Sequence, residues 1–216
     1  MPLAVLPRSL TRHSDAHAIQ QLRDYYAPAP EHRGGIVHTG SLFDTWAGGG
    51  NSAAVADRFT ADDLVAASLV GVTVPGRTAI LLLDRQAEKY HKLLEAIGPD
   101  RDLVEVGDGE INPQWPAWRA HDRMRTLDGL DWVGAARLLA RKRPRLLPAY
   151  DRIVRAVLGG EHYYWEPLRE SLRADGGALH SRLLRIRDQA DVPAPISAIR
   201  IFDIIAWMDA QGALPR

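Results

Sequence analysis

Apolar residues in this chain recur at helical spacing, and each such segment is closed by a strong stop signal, so the fold must be a packing of short helices. Thr60-Ala61-Asp62-Asp63 places a capping hydroxyl and two first-turn acids ahead of Leu64, Val65, Ala67 and Leu69. A helix therefore starts there and ends near Gly71. Residues 77–97 carry Leu81, Leu82, Leu83, Tyr90, Leu93, Leu94 and Ile97 before a Gly98-Pro99 stop, and they read as one longer helix. Ser14 caps a helix over 14–26, closed by Pro28-Ala29-Pro30. Further helices are expected over 115–125, from Asp131 to the Pro144 stop, over 149–158 behind Pro148, and over 164–174, 178–190 and 196–208. Residues 34–43 alternate loosely and predict an extended piece, followed by a Gly48-Gly49-Gly50 loop. The expected fold class is mostly α: one domain over 1–216 of about eight helices, arranged either as one core or as two lobes with a groove.

At 216 residues and 46% hydrophobic content, the chain is long enough for one substantial core. Acidic and basic residues balance at 27 each, so attraction to a polyanion has to come from a local patch. The absence of cysteine excludes a disulfide framework, a thiol nucleophile, a cysteine-ligated zinc and an iron–sulfur cluster. No cofactor and no metal is expected. His13 and His17 have helical metal spacing but no Glu and no evident third ligand. Gly48-Gly49-Gly50 lacks the following Lys-Ser or Lys-Thr of a phosphate loop. The N-terminal run has no basic residues ahead of a long apolar core, and residues 196–208 are interrupted by Arg200 and Asp203. No secretory signal, no membrane span and a cytoplasmic location are expected. Arg200 and Asp203 fall on a helix that should be largely buried, so each needs a partner.

Between 137 and 155 the balance of charge breaks down. Arg137, Arg141, Lys142, Arg143, Arg145, Arg152 and Arg155 face one acid, Asp151. Arg137 and Arg141 are four apart on one helix, where like charges repel by a few tenths of a kcal/mol unless an anion lies between them. A phosphate backbone would supply that anion. Solvated basic faces also occur without any partner.

Residues 127–158 resemble the helix-hairpin-helix base-excision DNA glycosylases. The family's Leu-Pro-Gly-hydrophobic-Gly hairpin is matched by Leu127-Asp128-Gly129-Leu130-Asp131, and its next helix by Ala135, Ala136, Leu138 and Leu139. The match continues through Pro148, Asp151, Val154, Arg155, Val157 and Leu158. Two positions depart from the pattern. Asp131 replaces the second hairpin glycine, and its carboxylate would occupy amides that should hold a phosphate. Val133 stands where bifunctional relatives keep a Schiff-base lysine, so an active relative would be monofunctional. The turn Val70-Gly71-Val72-Thr73 also lacks the family's wedge glutamine. Over most of its length the chain also resembles an uncharacterised bacterial family that carries the string Leu138-Leu139-Ala140-Arg141-Lys142-Arg143-Pro144-Arg145-Leu146.

The resemblance implies a DNA-binding protein whose Asp151 would stabilise an oxocarbenium-like transition state during hydrolysis of the N-glycosidic bond of a damaged base. It implies Gly129, Arg137, Arg141, Lys142, Arg143, Arg145 and Arg155 as contacts to duplex DNA. A first-turn Asp four residues before an Arg is also favoured by the helix dipole and ion pairing alone. Tyr163, Tyr164 and Trp165 are either base-stacking residues or core anchors. The second reading, from a different class, is a catalytically silent nucleic-acid or protein-binding module on the same fold. Nothing in the sequence fixes the oligomeric state.

Overall fold

A computed structural model of the chain describes residues 3, 5–28, 35–149 and 165–213. These group into two compact units, Leu42–Ala149, and Met1–Ser41 with Tyr150–Arg216. The described residues are mostly helical, and no helix among them is long and apolar enough to cross a membrane.

The unit Leu42–Ala149 begins with a long irregular stretch that holds only the 3₁₀ turn Trp46–Gly48 before α3. Helix α3, Ala61–Leu69, opens with the expected cap. Thr60 Oγ1 accepts from the Asp63 amide, and Asp63 reaches back to the Thr60 amide at 2.8 Å, a reciprocal box that satisfies two orphan donors. The expected helix over 77–97 is divided. Gly76–Ile80 forms α4, Leu81–Arg85 is a π turn, and Ala87–Ile97 is α5, with the Gln86 amide bonding five residues back to the Leu81 carbonyl at 2.9 Å. Helix α6, Pro116–Met124, has proline at its first position, where no amide is needed. A tight turn leads into α7, Trp132–Lys142, which packs on α3 and α6.

In that turn Gly129 has φ +72°, and a Cβ there would lie 2.2 Å from Pro75 Cγ, so the position requires glycine twice over. The buried side of this unit is built from Leu82, Leu94, Leu103, Leu130, Leu138, Leu139, Leu146 and Leu147.

The other unit contains α1 (Arg8–Thr11), α2 (Ala16–Tyr26), α8 (Trp165–Gln189) and α9 (Ala198–Ala213). Helix α8 is two helices in effect. Asp175, Gly176 and Gly177 have positive φ, which breaks it near the expected boundary between 174 and 178. Helices α2 and α8 pack on α9, whose Ile201, Phe202 and Ile205 are buried beside Leu22, Leu172 and Ile186. Arg200 donates to the Tyr25 hydroxyl at 3.2 Å and the Gly40 carbonyl at 3.1 Å, which accounts for a cation on this apolar helix.

The extended piece expected over 34–43 is not a strand. Its described residues hold one isolated bridge, Ile36 to Pro28, and then the 3₁₀ turn Thr39–Leu42. The helix expected over 149–158 lies outside the described residues, apart from Ala149. Because the Thr60 hydroxyl holds the first turn of α3, Thr60→Ala is expected to cost about 1 kcal/mol in chemical denaturation, and Thr60→Ser much less.

Candidate functional site

The residues singled out by charge lie where α7 ends. Arg141, Lys142 and Arg143 are 2%, 0% and 1% exposed, and none of them reaches a surface. The stretch from Phe43 to Asp57 carries little regular structure, so its carbonyls need donors from elsewhere in the fold. The triplet supplies them.

Arg141 donates to the carbonyls of Phe43 and Trp46. Lys142 Nζ donates to Gly50 at 3.2 Å and Val55 at 3.1 Å. Arg143 reaches Gly98 at 2.6 Å, Ala56 at 2.8 Å and Leu94 at 2.9 Å. Two carboxylates supply counter-charge. Asp63, buried in the α3 capping box, pairs with Lys142 and lies 3.4 Å from Arg141 Nε, while Asp57 pairs with Arg143. Burial pushes both Lys142 and Arg141 down from their ordinary values, and Asp63 pulls each the other way. Gly50 belongs to the same clasp, since a Cβ there would stand 2.4 Å from the Arg141 carbonyl oxygen.

The sequence-based DNA contacts are corrected accordingly. Arg141, Lys142 and Arg143 are internal structural cations, held against a loop they solvate. Arg137 is half-buried and donates to the Val70 carbonyl. Arg145 is exposed but forks onto Asp102, with Nη2 at 2.6 Å and Nε at 3.1 Å. Gly129 forms the turn against Pro75. Asp131 Oδ1 accepts from the Gly134 amide at 2.9 Å, so a carboxylate already fills the N-terminus of α7. Trp165 is buried at the start of α8. Asp151, Arg152, Arg155, Tyr163 and Tyr164 lie outside the described residues.

A different basic surface emerges where α5 meets α6. A groove of about 890 Å³ is lined by Arg85, Lys89 and Lys92 from the π turn and α5, and by Arg119 and Arg123 from α6. All five cations are exposed, and Glu88 is the one carboxylate of the lining. Leu93, Ala96 and Pro116 supply its apolar wall. Arg85 and Lys92 touch Asp84 and Glu88 at 3.2 Å and 3.4 Å, but these pairs are solvated and hold the cations weakly. At one end of the groove Gln86 Oε1 is buried without a hydrogen-bond partner, and so is the Tyr90 hydroxyl one turn further on. Burial pushes the Tyr90 phenol up, with the neighbouring Arg123 guanidinium opposing it.

Sequence reasoning passed over this groove. Arg85, Lys89 and Lys92 follow at spacings of four and three, and Arg119 and Arg123 at four, so each row was readable as one helix face. That the two rows face one space is a tertiary fact.

The charge clasp makes an asymmetric prediction. Asp63→Asn strands two buried cations and is expected to cost about 3–5 kcal/mol, whereas Lys142→Met, with similar volume and a favourable loss of buried charge, should cost clearly less. The Lys142 value in the fold lies below the 10.5 of the free side chain, so the unfolded chain holds that proton more tightly. The stability of the wild type relative to Lys142→Met should therefore rise with pH through the folded value towards 10.5. Denaturation curves for both proteins across alkaline pH would check the sign.

No curated protein and no solved structure matches the chain. A family match covers residues 18–210, nearly the whole length, and the chain belongs to that family, described as a family of unknown function (DUF6308).

Proposed function

We propose that this protein is a nucleic-acid-binding module that grips the phosphate backbone through the groove between α5 and α6. The observation that carries this is the lining itself: five exposed cations against one carboxylate, around one concavity, in a chain with no net charge. Arg85 and Lys89 are four apart, as are Arg119 and Arg123, so each helix holds like charges at mutually repulsive spacing in water. A row of phosphates relieves that repulsion on both walls at once. Arginine at three of the five positions favours phosphate, whose oxygens fit the guanidinium fork. Binding is the whole of the proposed role. Base excision by Asp151 rests on the resemblance of residues 127–158 alone.

Salt dependence tests the proposal. Affinity for DNA should fall with a log–log slope of about −0.9 per neutralised phosphate on a duplex, or about −0.7 on a single strand. Lys89→Ala and Arg123→Ala should each make that slope shallower by roughly one phosphate, and Arg145→Ala should leave it unchanged. Fluorescence anisotropy from low to physiological salt reads both quantities. An absence of binding at low salt, or a slope that Arg145→Ala changes and Lys89→Ala does not, would contradict the groove.

A further inference from the structure

The chain from Gly76 to Ile97 would run as one helix but for a single inserted residue. The π turn Leu81–Arg85 takes up that residue, and Gln86 follows it with φ −126° and ψ 19°, outside helical values. One extra residue rotates everything after it by about 100°, a change in facing that a continuous helix could not give. Turns of this kind are rare and are found disproportionately at functional sites. Here the rotation places Gln86 in the lining of the basic groove, beside Arg85 and Lys89.

The amide of Gln86 is out of balance with its surroundings. Its Oε1 is buried with no hydrogen-bond partner, in a lining whose charged members are almost all cations. Positive neighbours favour the carbonyl end of the amide facing them over its NH₂ end. What the groove offers there is an acceptor, short of one N–H donor, a few ångströms from groups suited to phosphate. A ligand that satisfies both has phosphates and, next to them, an exposed N–H. The groove is a concavity of about 890 Å³, which admits a strand and its bases but not the body of a duplex.

We propose that Gln86 is a specificity-determining residue of this groove, accepting a hydrogen bond from the exocyclic amine of an unpaired adenine or cytosine whose flanking phosphates lie on Arg85, Lys89, Arg119 and Arg123. The proposal rests on the nucleic-acid role of the groove and adds to it a preference for unpaired, amine-bearing bases. Tyr90, one turn on and also without a partner, is the next polar group such a base would meet. Gln86 is then a residue kept for a ligand: removing its acceptor weakens recognition without weakening the fold.

The test uses the full chain, a fluorescent oligo(dA), and the same oligonucleotide with purine, which lacks the amine, in place of adenine. Wild type should bind oligo(dA) about tenfold more tightly than the purine strand, the size of one hydrogen bond to an otherwise unpaired group. Gln86→Met should abolish that preference while keeping or raising the melting temperature, and Gln86→Glu, which still accepts, should retain the preference with weaker overall affinity. Adenosine monophosphate as competitor separates a strand from a free nucleotide. Displacement only far above the concentration at which unlabelled oligo(dA) competes supports the strand, and displacement at equal concentration overturns it. Binding of both strands with equal affinity by wild type, or an intact preference in Gln86→Met, would overturn the role of Gln86 while leaving the groove in place. No binding of either strand would overturn the groove as well.

Discussion

Everything in the unit Leu42–Ala149 depends on three consecutive cations at the end of α7 being taken out of water. Charges of this kind stay in a fold only when their donors and their charge are both answered. Arg141, Lys142 and Arg143 meet the first condition with carbonyls of the irregular chain between Phe43 and Asp57, together with those of Leu94 and Gly98. Asp63 and Asp57 meet the second. The dependence runs both ways. A loop with so little regular structure could not bury its carbonyls without these donors, and the cations could not be buried without the loop. The capping box joins the clasp to a helix start, because the carboxylate that pairs with Lys142 is the one that closes the first turn of α3. Loop, α3 and α7 are therefore fixed as a set.

Helix starts and stops were legible in the sequence because they are local. Thr60 with Asp63, Pro116, Asp131 and the glycines at 176 and 177 act within a turn of themselves, and each sits at an observed boundary or break. The π turn was not legible, since a single inserted residue leaves the apolar spacing of Leu82, Tyr90 and Leu94 nearly intact while rotating the next helix. The expected strand near Ile36 failed for want of a partner. Loose alternation describes a strand only when another strand lies alongside to take its hydrogen bonds.

The basic run was misread for a related reason. Like-charge repulsion between Arg137 and Arg141 calls for an anion only if both groups stand in water. Here Arg141 finds its acceptors 98 and 95 residues earlier in the chain, and Lys142 finds its own 92 and 87 residues earlier. Nothing in the local pattern distinguishes a basic face turned to solvent from one turned inward. The same argument regains its force at Arg85, Lys89, Arg119 and Arg123, which are exposed and line one groove. The charge that matters for a polyanion thus lies on α5 and α6, away from the segment that resembles a hairpin glycosylase, and a binding role needs no contribution from Asp151.

The chain has three lysines, which lets one measurement decide between an inward and an outward basic cluster: Lys89 and Lys92 in the groove and Lys142 in the clasp. Amine-specific acylation of the native protein, read by mass spectrometry with and without oligonucleotide, compares them in one sample. Lys89 and Lys92 should react readily and be protected by nucleic acid, and Lys142 should react only once the protein is denatured. Rapid acylation of Lys142 in the native state, or protection of Lys142 but not of Lys89 and Lys92 by nucleic acid, would contradict both the buried clasp and the groove.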